Sequence, residues 1–148
     1  MPHAGLIDES LGKTEMLLMR ARLHVRGSHI RFSEGRRRDG VAAMYDAVSS
    51  AMLMFAQPEM VEKYPHLGQV EDLSDDFALF QALKQSGVFD ESVSVSNFKF
   101  LSRCLDDALE DRIDMLDETR FVETSHILLL QLGVLPFNEC DLPDSITL

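Results

Sequence analysis

Apolar residues in this chain recur every three or four positions in several long stretches and nowhere alternate one by one over a length that would make a strand. From Arg36 to Ala56, Val41, Met44, Tyr45, Val48, Ala51, Met52 and Phe55 keep that spacing, and Pro58 arrives as it stops. Steps of three and four gather side chains on one face of a helix, whereas a half-buried strand needs a period of two. Behind the capping candidates Ser94 and Ser96, a second stretch marks another apolar face with Phe98, Leu101, Leu105, Ala108, Leu109, Ile113 and Leu116. Val93 and Val95, with their serines, are too brief to make a strand. No internal repeat at a fixed period is present. An all-α fold is the expectation.

The remaining segments fill out that expectation. A first helix is predicted from Leu11 to Val25 behind Ser10, with Gly27 and Ser28 ending it. The helix ending at Ala56 is predicted to begin near Ser33, although Gly35 and Gly40 would each cost about 1 kcal/mol relative to Ala inside it. Residues 58–73, with Pro58, Pro65 and Gly68, read as a surface connection holding a short helical turn over Glu59–Lys63. Ser74, followed by Asp75 and Asp76, opens a further helix with Phe77, Phe80 and Leu83 as its buried stripe, and Gly87 stops it. The long C-terminal pattern is predicted to break near Thr119, leaving a short fifth helix containing Phe121, Ile127, Leu128 and Leu132. These pieces predict an antiparallel bundle of four main helices plus the short fifth, one domain over residues 1–135 with an irregular tail over 136–148. A chain of 148 residues is long enough to bury about two-thirds of its unfolded surface in such a core.

Composition excludes several classes of function. No apolar run, the cluster Ile127 to Leu130 with Leu132 included, is long enough to cross a bilayer, and the first ten residues lack the basic-then-apolar pattern of a secretory signal. The cytoplasm is the expected compartment, with no membrane partner. Cys104 and Cys140 lie 36 positions apart without zinc-ligand spacing, so reduced thiols are expected, Cys104 as a small buried hydrophobe. A net charge of -11 disfavours a protein that coats nucleic acid, which needs excess cations to displace counterions.

That charge is unevenly placed. Residues 1–40 carry eight basic side chains against five acidic ones, a surplus of three, and the rest of the chain carries -14. Arg36, Arg37 and Arg38 oppose the positive end of the helix they begin, so helical economy does not explain them. Converging with Arg31 or Arg22, they would clamp a phosphate-bearing ligand or a carboxylate on a protein partner. The other reading is neutralisation between the protein's own helices.

Two stretches carry a family resemblance. Residues 40–56, GVAAMYDAVSSAMLMFA, look like the second helix of the HEPN superfamily, where small residues and an aromatic pack a helix tightly on its neighbour. Residues 79–109, LFQALKQSGVFDESVSVSNFKFLSRCLDDAL, are similar to that superfamily's short helix ending in Gly, an acidic turn, and a helix leading to Arg and, four to six residues later, His. Together they span about a third of the chain. At the matching place stands Arg103, but Asp107, Ala108 and Leu109 occupy the positions where the His belongs. In family members that cut RNA, Arg and His face a cleft at a dimer interface, the cation stabilising phosphate charge and the imidazole moving a proton. The resemblance therefore implies the fold and a homodimer more than nuclease activity. Arg120 and His126 satisfy the loose Arg-to-His spacing about 17 residues further on, though on a continuous helix they point about 120° apart.

Other constellations are weaker. Asp106, Asp107, Glu110, Asp111, Asp114, Asp117 and Glu118 crowd what reads as one helix, where a divalent cation could be held, or a solvated acidic face presented. His24 and His29 have no third ligand nearby, so no metal is assigned, and no cofactor is implied. Met44, Met52 and Met54 suit a core or an adaptable groove. The expected function is thus noncatalytic association or ligand binding by a HEPN-like bundle. The alternatives are a ribonuclease using Arg120 and His126 or a metal-dependent nucleotide hydrolase.

Overall fold

The computed structural model describes residues 12–143. Six α-helices form the all-α fold of these residues: α1 (Lys13–Ser33), α2 (Arg37–Met54), α3 (Pro58–Val61), α4 (Asp76–Gln85), α5 (Val95–Leu109) and α6 (Glu118–Gln131). Five are substantial, and short 3-10 turns lie at Pro65–Gln69 and Glu139–Asp141. No described residue is in a strand, and none of the described helices is long and apolar enough to cross a membrane.

The α1–α2 hairpin is the spine of the molecule. Contrary to expectation, α1 runs straight through Gly27 and Ser28. The reason is tertiary: the buried Ser28 hydroxyl donates to the Gly40 carbonyl of α2 at 2.6 Å, and the Arg31 side chain lies over Gly27. The expected cap of this helix, Ser10, lies outside the described residues, and Gly12 occupies the N-cap position. The expected start of α2 near Ser33 is also corrected. Gly35 sits outside the helix at φ +77°, in the left-handed turn that ends α1, where Gly35 N donates to Phe32 O and Arg36 N to Arg31 O. Gly40 does lie inside α2, and the Phe32 ring lies where its Cβ would be.

The other helices close over this hairpin. Asp75, rather than Ser74, caps α4 by accepting from Ala78 N; Ser74 instead bonds Asp72. Ser94 and Asn97 form a reciprocal capping box at the start of α5. Phe80 of α4 stacks on Phe98 of α5 with centroids 4.7 Å apart and packs on Phe89 at 5.2 Å. Fully burying rings of this kind stabilises the fold by about 2–3 kcal/mol each. The connection over 58–73 is anchored by Leu67, which is buried in the core.

The largest departure lies after α5, which stops at Leu109 instead of reaching Leu116. Asp111 adopts φ +57°, and Arg112 N donates to Asp107 O, so the chain reverses there. Ile113 and Leu116 still pack against the core, but from a loop. Asp117 then caps α6 by accepting from Arg120 N. The fifth substantial helix, expected to be short, has 14 residues. Beyond it the Leu135–Pro136 peptide is cis, and residues 136–143 return along α1. There Arg26 donates to Pro143 O at 2.6 Å, Arg22 donates to Val134 O at 3.0 Å and its guanidinium lies over Phe137.

Candidate functional site

The early reversal after Leu109 folds residues 110–117 back between α5 and α6 and shapes a cleft there. It is lined by Phe100, Arg103, Cys104, Asp107, Met115, Leu116, Asp117 and Arg120, with a volume of about 220 Å³. Arg103 projects from α5 and Arg120 from the first turn of α6. The Arg120 guanidinium carbon lies 4.0 Å from the Phe100 ring centroid, a cation–π contact that holds the fork over the ring.

The carboxylates of the cleft are engaged elsewhere. Asp107 accepts from Arg112 at 3.1 Å, and Asp117 is occupied as the α6 cap. Among the described residues, neither the Arg103 nor the Arg120 guanidinium has a hydrogen-bond or ion-pair partner. Cys104 forms the buried wall, where desolvation, reinforced by the Asp107 charge, pushes its thiol up to about 11. It is a packing group rather than a thiolate nucleophile. The arrangement is two guanidinium forks facing a semi-enclosed space, suited to an oxyanion such as phosphate or carboxylate.

His126 lies elsewhere. Its Nε2 is 3.1 Å from Nε2 of His29 on α1, with the rings edge to face and centroids 5.2 Å apart. Partial burial lowers both pKa values, and for His126 the neighbouring His29 adds to the effect, whereas the Glu139 charge partly opposes it for His29. Arg120 and His126, the pair a ribonuclease would use, thus face different surroundings: one stacks on Phe100 of α5, the other pairs with α1.

The arginines at the start of α2 are mostly engaged within the molecule. Arg36 pairs with Asp39 at 2.7 Å and with Glu34, Arg38 with Asp111 at 3.1 Å. Arg37 donates to Leu116 O at 2.9 Å and faces Glu118. Arg37 and Arg38 therefore tie α2 to the reversed loop. Only Arg31 and Arg36 of the four share a cleft, about 260 Å³, with His24, Asp39 and Asp46. Both clefts hold two carboxylates, but here Arg36 is already paired with Asp39 and Glu34, which makes this cleft a poorer anion receptor than the one between α5 and α6.

The acidic run also reads differently in three dimensions. Asp106 and Asp107 lie on α5, Glu118 on α6, and Glu110 to Asp117 between them, so the expected single acidic helix is replaced by two helices and a loop. Arg112 engages Asp107 and Glu110. Among the described residues no group of three or more His, Cys, Asp and Glu is placed to hold a metal ion. Phe100, Met115 and Leu116 went unrecognised as cleft residues because no local pattern reveals the reversal at Asp111. No family model matches the chain, and neither a curated protein nor a solved structure matches it.

Proposed function

We propose that this chain is a noncatalytic, HEPN-like helical protein that binds a phosphate- or carboxylate-bearing ligand between α5 and α6. The observation that carries the reading is the meeting of Arg103 and Arg120 in one cleft without carboxylate partners. With the thiol held neutral and His126 paired to His29 instead, the groups in that cleft favour capture of an anion over proton transfer. Titrating the full chain with pyrophosphate, followed by calorimetry, tests it. Saturable binding weakened at least tenfold by Arg103→Ala and again by Arg120→Ala is expected. No saturable binding of pyrophosphate, citrate or a mononucleotide sinks the proposal.

A second element of the reading is association as a homodimer. Ile127 and Leu130 stand exposed three residues apart on α6, and Ile30 is exposed on α1 beside the histidine pair. Apolar side chains so placed support burial against another copy. Sedimentation of the wild type should give a dimer, and Ile127→Glu with Leu130→Glu a monomer. A wild-type monomer at high concentration removes the dimer without touching the anion site.

A further inference from the structure

The histidine pair between α1 and α6 is unused by the anion cleft and is separated by 97 positions in the sequence. From its geometry we propose that His29 and His126 form a two-histidine site for a borderline divalent transition ion, such as Zn2+ or Ni2+, that bridges α1 and α6. Nitrogen ligands about 2.0–2.1 Å from one ion are about 3.3 Å apart at a tetrahedral angle and about 2.9 Å apart at a right angle. The observed Nε2 to Nε2 separation, 3.1 Å, lies between these values. Small movements of either ring therefore bring both nitrogens onto one ion.

The chemistry of the surroundings agrees. Imidazole suits zinc, copper and nickel, and a ligating ring must be neutral on its bound nitrogen. Both rings favour the neutral form through partial burial. The Glu139 carboxylate acts on His29, and that carboxylate lies 4.0 Å from Arg26. Two protein ligands leave coordination positions to water, which makes the ion exchangeable rather than a permanent structural centre. The pair falls below the four protein ligands of a closed zinc site and the three of an open one.

The test is Ni2+ and Zn2+ titration of the full chain, with helicity and thermal midpoint followed alongside. Saturable one-to-one binding is expected, lost more than tenfold in His29→Ala and in His126→Ala. Bound ion should also raise the midpoint of the wild type and not of either variant, since it ties two helices together only in the folded state. Cys140→Ser, His66→Ala and His3→Ala remove three of the other donors on which such ions could settle, and all three should bind as the wild type does. Binding that survives both histidine variants, binding lost only with one of the three controls, or no saturable binding overturns the proposal. An inert neutral N–H to N hydrogen bond would then account for the pair.

Discussion

At the scale of single residues, two groups hold unusual states that can be measured. Cys104 is buried, with its thiol raised from 9.0 to about 11, while Cys140 is exposed. An alkylating reagent at pH 8 should consume Cys140 rapidly and Cys104 only on the timescale of unfolding; equal rates would show the wall of the cleft to be open. The raised value also has a sign for stability. Below about pH 9 the thiol is neutral folded or unfolded, and its contribution is complete. Between 9 and 11 the unfolded chain ionises first, so that contribution is lost as pH rises, and Cys104→Ala should flatten the loss in denaturation midpoints. Asp111 is the second such residue, the one described non-glycine position with positive φ. Left-handed backbone costs an ordinary L-residue roughly 1–2 kcal/mol, Asp somewhat less. Its exposed pair with Arg38 returns little of that. Asp111→Gly should therefore raise stability by up to about 1 kcal/mol in urea titration, and a loss of that size would show the Arg38 pair to be the stronger effect.

Among the elements, the α1–α2 hairpin depends most on close approach. A Cβ at Gly40 would stand 2.9 Å from three atoms of the Phe32 ring. Ala normally favours a helix by about 1 kcal/mol over Gly, while overpacking costs about 1–3 kcal/mol. Gly40→Ala should thus destabilise by about 1 kcal/mol, and Phe32→Leu made with it should recover part of the loss; a stabilised Gly40→Ala would mean the ring simply turns aside. The same contact explains what could be read in advance. Apolar periodicity marked α2, α4 and α5 because each buries a stripe against the others. The ends were harder to see. Four helices close through left-handed residues, three of them glycines, at 35, 87 and 133. Yet Gly27 looked equally like a stop, and only the bond from the neighbouring Ser28 hydroxyl to Gly40 O of α2 tells it apart. At the fourth end Asp111 does what glycine usually does, so the reversal that creates the anion cleft left no local mark. Arg103 and Arg120 each stood out for their spacing to other residues, but their meeting depends on that reversal. The pairing of His29 with His126 depends on how α1 and α6 lie together.

For the molecule as a whole, residues 136–143 form a strap back onto α1. Arg26 is largely buried, with Nε and Nη2 lacking partners, and its Nη1 donates to Pro143 O. Removing everything after Leu135 would leave this guanidinium with fewer partners and uncover the apolar surface beneath Phe137 and Leu142. A loss of about 2 kcal/mol or more is expected in chemical denaturation, and an unchanged midpoint would mean that the first 135 residues are self-sufficient.

The engagement of Arg36, Arg37 and Arg38 with the protein's own acceptors has an outcome in solution. A long polyanion drifting toward the basic first forty residues meets these three cations already engaged, on a chain of net charge -11. The proposed anion cleft between α5 and α6 presents two forks. Occupancy there should decline gently as salt is added, because few counterions are exchanged at a pair of contacts.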